Sequence, residues 1–253
     1  MKLIRTLAVY VYLGLVVICG VPYFNYLQKK KTQLGEQLVT EKIYAYARSM
    51  AKRIVALTGG KITVHGAENL PEEGVALYVA NHQSYIDIPV LMSVIARPIG
   101  FVAKEEIGKI PFFKKWIVHM KCVLIARGDA RKALTAILQT AKLLQQGHSM
   151  VLYPEGTRSV DGTLGEFKAG SLKAAQKGKV MIVPVAIDGA RDIMPRGSFF
   201  MYKKNVTVTV LPPILAEQVQ AMDSKELAAM VKSQIAQALG QSVPEKNGDE
   251  LHG

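Results

Sequence analysis

The sequence has only two cysteines and lacks the usual motifs of a covalent nucleophile. Cys19 lies in an apolar run and Cys122 in a predicted strand, and their positions offer neither metal-binding spacing nor a plausible disulfide. We therefore expect both to be small buried residues. The chain has no Gly-x-Ser-x-Gly segment, and neither cysteine lies in a block that looks catalytic. These absences argue against a disulfide scaffold, a metal site and a serine or cysteine nucleophile.

Acidic residues are also scarce. The chain holds 32 Lys and Arg against 20 Asp and Glu, a formal net charge of +12, and residues 1–53 contain nine of the cations and two Glu. Such an excess indicates nucleic acid or an anionic membrane, where each Lys or Arg adds about 1 kcal/mol. There is no nucleic-acid motif, and the charge adjoins an apolar run, so membrane lipid is the expected partner. A topology signal with solubilising charge is the alternative.

The apolar run from Leu7 to Phe24 has 18 residues without charge, preceded by Lys2 and Arg5 and closed by three lysines at 29–31. A signal peptide would need a shorter apolar region and a small-residue cleavage site, so we expect a retained membrane segment. A span takes about 20 residues, and Pro22 would kink or stop a helix. A full span and a one-leaflet insertion are both open. The lysines favour a cytoplasmic position for the rest of the chain, at the inner membrane if the protein is bacterial.

The next segment has the periodicity of an amphipathic helix. Arg48 and Lys52 fall on its polar face, and Gly59-Gly60 ends it. Such a helix either packs on the globular domain or lies at the membrane interface. Its apolar positions are Val39, Ile43, Tyr46, Met50, Ile54 and Leu57.

Short β-like runs then alternate with segments long enough to be crossover helices, such as Arg131 to Gln146, which Asp129 is expected to cap. This alternation predicts an α/β fold with a mainly parallel central sheet. We assign residues 1–58 to N-terminal membrane-associating helices, 59–243 to a single α/β domain and 244–253 to a polar tail. The predicted strands are 62–65, 75–80, 98–103, 122–126, 150–153, 181–187 and 206–211.

Parallel sheets bind ligands beyond the carboxyl ends of their strands. One such end is followed by Asn-His-Gln-Ser-Tyr-Ile-Asp at residues 81–87. A turn can bring His82 and Asp87 together, so that the carboxylate orients the imidazole and leaves its other nitrogen free to take a proton from a hydroxyl. The alternative is a hydrogen-bonded strand-end histidine beside an ordinary helix cap.

A second candidate loop, residues 153–159, follows another strand and continues to Phe167–Ser171. Gly156 allows close approach of the backbone, Thr157 donates a hydroxyl, and Arg158 can bind a phosphate bidentately. The alternative is a surface turn in which Glu155 and Arg158 pair with each other. Arg127 ends a third strand at the same predicted edge, and two arginines beside a possible base suggest a phosphorylated substrate.

These blocks, in this order, resemble the motifs of the glycerolipid acyltransferase superfamily, and within it the 1-acylglycerol-3-phosphate acyltransferases. The Asn-His-x4-Asp block matches the first motif, and residues 153–159 match the third except that Tyr153 stands where Phe is commoner. Residues 104–107 with 110–113 resemble the segment between the first two motifs, and 183–185 resemble the fourth. The resemblance covers residues 62–215.

The second motif departs from the family pattern. Lys121, Leu124 and Ala126 replace the family's Gly, Phe and Asp, whereas Arg127 is kept. Because the family uses this motif in acceptor binding, the departure bears on the identity of the acceptor.

The resemblance implies transfer of an acyl chain from coenzyme A or acyl carrier protein to the sn-2 hydroxyl of 1-acylglycerol 3-phosphate (lysophosphatidic acid), giving phosphatidic acid. His82 would remove the hydroxyl proton, and Asp87 would hold His82. No acyl-enzyme, metal or further cofactor is expected. Glycerol 3-phosphate or another lysolipid as acceptor, a hydrolase, and a non-catalytic protein that binds anionic lipid are the alternatives.

The resemblance also assigns the acceptor site. Arg127 and Arg158 would hold the phosphate, while Gly156 and Thr157 shape the loop. Glu155 would position an arginine or the glycerol backbone. Lys104 would contact the same phosphate or a phosphate of the carrier.

Overall fold

A seven-stranded sheet lies at the centre of the described structure, as the alternating apolar runs of the sequence predict. The computed structural model describes residues 1–110, 112–126 and 128–242. The expected tail at 244–253 and Arg127 lie outside these residues. Each predicted strand agrees with the structure to within one residue at either end. The strands are β1 Ile62–His65, β2 Ala76–Ala80, β3 Ile99–Lys104, β4 Val123–Ile125, β5 Ser149–Leu152, β6 Met181–Asp188 and β7 Val206–Val210.

The helices of the described residues flank this sheet. The predicted helix at 131–146 is α6, and the side chain of Asp129 caps it by accepting hydrogen bonds from the amides of Arg131 and Lys132. Short 3-10 turns occupy Ala67–Asn69 and Glu105–Lys109. The helices are α1 Lys2–Lys29, α2 Lys31–Leu34, α3 Glu36–Thr58, α4 Asp87–Val94, α5 Phe113–His119, α6 Ala130–Gln145, α7 Ala169–Gly178, α8 Ala190–Ile193, α9 Ala216–Ala221 and α10 Ser224–Ala238.

The strand order is β1-β7-β6-β2-β5-β3-β4. The five strands from β6 to β4 are parallel to one another, which confirms the mainly parallel sheet. β7 runs antiparallel to β6, and β1 pairs in parallel with β7. The carboxyl ends of β2, β3, β4 and β5 therefore meet at one edge of the sheet.

Both faces of the sheet are covered, which explains why β2 is apolar at every position. All five of its residues are buried. Because successive side chains of a strand point to opposite faces, Tyr78 joins a core shared with α1, α3 and α4, while Leu77 and Val79 join a core shared with α6, α7 and α10. The hydrophobic core thus continues across the boundary expected at residue 58.

The N-terminal apolar run forms one long helix, α1, which passes through Pro22 and ends at Lys29. The expectation that Pro22 could stop the helix is therefore wrong. Val21, Phe24 and Leu27 on either side of it are buried against the domain, so packing retains the last turns despite the missing amide proton. Within the described residues, α1 is the one helix long and apolar enough to cross a membrane.

The amphipathic helix is α3, which ends at Gly59 in a left-handed conformation. Ile43 and Ile54 are buried in the shared core, and the hydroxyl of Tyr44 donates to the carbonyl of Ile95 at 2.9 Å. These contacts favour the first alternative, packing on the globular domain. Arg48, expected on the polar face, donates to the carbonyl of Ser93 and thus also contacts the domain.

The two cysteines differ from each other in environment. Cys19 is exposed, because it lies on the face of α1 that turns away from the sheet, so the expectation that it is buried is wrong. Cys122 is partly buried beside β4, and burial raises the pKa of its thiol to about 11.

Candidate active site

His82 and Asp87, which we call the dyad, meet directly beyond the end of β2. His82 Nδ1 lies 2.7 Å from Asp87 Oδ2, and both side chains are buried. The same carboxylate oxygen accepts hydrogen bonds from the backbone amides of Gln83 at 2.7 Å and Ser84 at 2.9 Å. Asp87 also begins α4, where the helix dipole favours negative charge.

These contacts fix the tautomer of the imidazole. An oxygen that already accepts from two amides acts as an acceptor toward His82, so Nδ1 carries the proton and donates it. Nε2 is then left with its lone pair. His82 also lines the cleft described below, so the arrangement can accept a proton from a hydroxyl bound there.

Glu155 connects the loop of the dyad to the second candidate loop. Its Oε1 accepts from the amide of His82 at 2.7 Å, and its Oε2 accepts from the amide of Gly165 at 2.9 Å. The pKa of this carboxyl is raised, because the effect of burial exceeds the opposing effects of these two hydrogen bonds and of nearby His82. Since each carboxylate oxygen accepts from a backbone amide, both oxygens are bonded inside the protein. This differs from the expectation that Glu155 positions an arginine or the glycerol backbone, and from its alternative, a pair with Arg158.

The side chain of Tyr153 packs against His82. Its ring stacks on the imidazole of His82, with 4.2 Å between centroids and 19° between planes. Burial, and to a smaller extent the charge of Asp87, raise the pKa of its hydroxyl well above the ordinary value. The phenol therefore stays neutral, and the ring restricts the orientation of the imidazole.

A cleft of about 880 Å³ opens beside the dyad at the carboxyl edge of the sheet. One wall of the cleft is apolar and is built largely by β3, β4, β5 and α6. Such a wall fits a hydrocarbon chain, which gains free energy by leaving water. The apolar lining comprises Ile88, Phe101, Val102, Ala103, Ile107, Ile110, Ile125, Ala126, Ala130, Ala133, Leu134, Ile137, Leu152 and Pro154.

Among the described residues, five Lys and Arg side chains, which we call the cationic rim, also line the cleft. Two of them, Lys104 and Arg158, are residues that the sequence predicts to bind phosphate. The guanidinium of Arg158 lies 3.9 Å from the centroid of the Tyr85 ring, and Lys104 Nζ is 2.7 Å from Glu106 Oε1. Arg127, the other predicted phosphate ligand, lies outside the described residues. The rim consists of Lys104, Arg158, Lys168, Lys173 and Arg196.

Gly156 and Thr157 line the cleft, as expected of the loop. Gly156 has φ +69°, which favours glycine, and a Cβ built there would lie 3.0 Å from Lys168 Nζ. The glycine therefore allows the loop to turn and a rim lysine to lie close to its backbone. Thr157 is exposed at the mouth of the cleft.

Sequence reasoning missed Lys173 and Arg196, and it included Lys168 only as part of the segment Phe167–Ser171 without assigning it a role. Arg196 lies far along the chain, yet its Nη1 donates to the carbonyl of Arg158 at 2.9 Å. The available signal was its place in the Pro-Arg-Gly turn that follows the strand of the fourth motif, at the functional edge of the sheet. Lys168 directly precedes α7, where a cation is not favoured by the helix dipole, and Lys173 is the fifth residue of that helix.

Comparisons with known proteins relate the chain to one family. Residues 61–188, about half of the chain, match the Acyltransferase family. A chloroplastic 1-acyl-sn-glycerol-3-phosphate acyltransferase of Arabidopsis thaliana is 35% identical over 68% of this chain. The chain spans about half of that protein, 49%. A 1-acyl-sn-glycerol-3-phosphate acyltransferase of Borreliella burgdorferi is 28% identical over 76% of this chain and 77% of its own length.

A solved structure is similar over almost the whole chain. The crystal structure of the 1-acyl-sn-glycerophosphate (LPA) acyltransferase PlsC from Thermotoga maritima has a TM-score of 0.76 and 25% identity to this chain. The similarity covers 96% of this chain and 100% of that one. The N-terminal helices are therefore included in the shared fold.

Proposed function

Because this chain belongs to the Acyltransferase family, we propose that it transfers an acyl chain from a thioester to the sn-2 hydroxyl of 1-acylglycerol 3-phosphate, forming phosphatidic acid. One observation carries the proposal: a buried histidine, oriented by a 2.7 Å hydrogen bond to Asp87, lines a cleft with an apolar wall and a cationic rim. The names of the Arabidopsis and Borreliella relatives support lysophosphatidic acid as the acceptor.

His82 acts as the general base in this mechanism. Nε2 takes the proton of the acceptor hydroxyl as its oxygen attacks the thioester carbon, and Asp87 stabilises the imidazolium that forms. When the tetrahedral intermediate collapses, the carbon–sulfur bond breaks and the proton passes from His82 to the departing thiolate. Ester and free thiol are the products, and no acyl-enzyme is formed.

The cationic rim binds the acceptor phosphate. Arg158 can grip it bidentately, and its stacking on Tyr85 holds the guanidinium plane at the mouth of the cleft. Arg196 supports the Arg158 backbone and adds charge at the same place. We propose Lys104 and Arg127 for the same phosphate or for a phosphate of the carrier, and Gly156 and Thr157 as the loop around it.

Glu155 is proposed as a positioning residue. Its two oxygens bond to the amides of His82 and Gly165. They thereby set the distance between the loop that carries the general base and the loop proposed to bind the acceptor phosphate. That distance matters because the hydroxyl to be deprotonated and the phosphate belong to one acceptor molecule.

The acyl chain fits the apolar wall of the cleft, and α1 fits a membrane. The outer face of α1 exposes Leu3, Ile4, Leu7, Val11, Leu15 and Ile18. Its inner face is packed on the domain at several points, including a hydrogen bond from Trp116 Nε1 to the carbonyl of Val17 at 3.1 Å. Because its inner face is packed on the domain, α1 can insert its outer face into one leaflet, whereas a full span would require the helix to separate from the domain. We propose that the domain faces the cytoplasm.

A panel of acceptors and donors tests the proposal. Purified protein is given an acyl thioester on coenzyme A or on acyl carrier protein, with 1-acylglycerol 3-phosphate, glycerol 3-phosphate or lysophosphatidylcholine. We expect phosphatidic acid from the first acceptor with at least one donor. Product only with another acceptor would contradict the assigned substrate, and free fatty acid formed without any acceptor would indicate a hydrolase.

A further inference from the structure

The segment between α8 and β7 carries two aromatic side chains that the catalytic site does not use. Phe199 is 77% exposed and Phe200 is 40% exposed. We call residues 194–204 the aromatic loop. Two neighbouring phenyl rings in water are unfavourable unless another apolar phase receives them. This loop therefore has the character of a contact surface.

The aromatic loop is attached to the first turns of α1. The hydroxyl of Tyr10 donates to the carbonyl of Phe199 at 3.1 Å, and the amide of Met201 donates to Thr6 Oγ1 at 2.8 Å. Lys2 Nζ lies 5.1 Å from the centroid of the Phe200 ring. The phenyl rings consequently lie beside the exposed apolar residues at the start of α1, where Ile4 is 73% exposed.

Basic residues lie near this apolar patch. Lys2 contacts the loop, and Lys203 and Lys204 belong to it. A Cβ built on Gly59 would lie 3.4 Å from Lys203 Cγ and 3.6 Å from Arg5 Nε, so these two cations converge beside the end of α3. Exposed phenyl rings with Lys and Arg nearby complement the surface of an anionic bilayer, which offers an apolar interior beneath negative headgroups.

The other end of the aromatic loop reaches the active site. Ser84, which lies between His82 and Asp87 in the chain, donates through Oγ to the carbonyl of Met194 at 2.8 Å. Arg196 lines the cleft and is bonded to the backbone of Arg158. Arg196 and Phe199 are three residues apart, so at most about 11 Å of chain separates the rim from the exposed ring.

We propose that Phe199 and Phe200 insert into the interface of an anionic phospholipid bilayer, as a contact separate from the long apolar face of α1. The insertion places Arg196 and the mouth of the cleft at headgroup level, so that a lysolipid acceptor enters from the leaflet. The entry of the acceptor from the leaflet rests on the proposed function, whereas the insertion of the two rings does not.

Depth-dependent fluorescence quenching tests the insertion without any turnover. Trp116 is the one tryptophan of the chain and is buried, so the wild-type protein supplies the background signal. Phe199→Trp is bound to vesicles of phosphatidylcholine and phosphatidylglycerol whose acyl chains carry bromine. Leu215→Trp is the matched control, because Leu215 is exposed beside Ile214, which pairs with the amino end of β6 at the opposite edge of the sheet.

We expect brominated lipid to quench the added tryptophan of Phe199→Trp at least about twofold more than that of Leu215→Trp, since bromine quenches only on contact within the bilayer. Equal quenching at the two positions would overturn the insertion. A protein partner for the aromatic loop would give that same equality on pure lipid vesicles.

Kinetics test the link to the acceptor. With lysophosphatidic acid in anionic vesicles, Phe199→Ser/Phe200→Ser should raise KM about tenfold, because the two rings no longer hold the mouth of the cleft at the surface. Leu215→Ser should keep the wild-type KM. Equal KM values for the two variants would overturn the link. If neither these variants nor the wild type forms product, the proposed function fails, while the quenching result still decides the insertion.

Discussion

On one side of the cleft, His82 is buried and fixed by three kinds of contact: the carboxylate of Asp87, the carboxylate of Glu155 on its amide, and the ring of Tyr153 on its imidazole. On the other side, Lys104, Lys168 and Arg196 of the cationic rim are exposed. Proton transfer requires a fixed geometry, since misplacement by about 1 Å can cost about 10²-fold in rate. A phosphate can instead be bound by several flexible cations. We therefore expect substitutions near the dyad to lower kcat and substitutions in the rim to raise KM.

Asp87→Asn should have the largest effect. An amide in place of the carboxylate presents a donor to Nδ1 or to the amides of Gln83 and Ser84, so the tautomer that leaves Nε2 free is no longer favoured. We expect kcat to fall about 10²- to 10⁴-fold. The control is Asp223→Asn, because Asp223 caps α10 and asparagine caps equally well. A variant that keeps kcat would contradict the role of the dyad.

Glu155→Gln should have the second largest effect. A glutamine can accept from only one of the two amides, and its NH₂ group faces the other. The unfolding free energy should fall by about 1–3 kcal/mol for the buried amide left without an acceptor. We expect kcat to fall roughly tenfold or more, since the loop of His82 is no longer held. Denaturant unfolding and steady-state kinetics check both, with exposed Glu166→Gln as the control. A raised KM at unchanged kcat would instead place Glu155 on the acceptor.

Arg158→Ala should act on KM. Loss of one charged hydrogen-bond donor to the phosphate predicts an increase of roughly tenfold in KM for lysophosphatidic acid, with kcat nearly retained because other rim cations remain. The KM of Arg158→Lys should lie between those of the wild type and Arg158→Ala, since lysine keeps the charge but not the bidentate geometry. Exposed Arg131→Ala on α6 is the control. A fall in kcat at constant KM would show that the rim is as rigid as the dyad.

Removal of the Tyr153 hydroxyl should have the smallest effect. Its hydroxyl has no hydrogen-bond partner among the described residues, so Tyr153→Phe should change kcat by less than about twofold while the stack on His82 is kept. Tyr153→Leu removes the stack and should lower kcat by up to about tenfold. The pH profile of kcat separates the variants, because only the loss of the ring alters the surroundings of the imidazole. Equal loss in both would assign a role to the hydroxyl.

The sequence predicted the sheet well because its signals are local. Seven apolar runs, the capping residue Asp129 and the glycines that end α3 each act within a few residues of themselves. The pairing of His82 with Asp87 was also predictable, since only a short turn separates them. Helix α1 was harder, because propensity at Pro22 opposes the packing of Phe24 and Leu27, and packing prevails.

The contacts that the sequence could not predict are long-range. The amide of His82 bonds to Glu155 across 73 positions, and Arg196 reaches Arg158 across 38. A glutamate beside an arginine in a glycine-containing loop gives no sign that both its oxygens are bonded to backbone amides. The stacking of Tyr153 on His82 likewise depends on β2 and β5 being neighbours in the sheet, an order that residue patterns alone do not determine.

The measurement that tests the central claim most directly is the rate of phosphatidic acid formation from an acyl thioester and 1-acylglycerol 3-phosphate, both saturating, by the wild type and His82→Ala. His65→Ala serves as the control, because His65 is exposed at the end of β1. We predict product from the wild type and the control, and a rate about 10²- to 10⁴-fold lower from His82→Ala at unchanged vesicle binding. Equal rates from all three proteins would contradict a fixed histidine base.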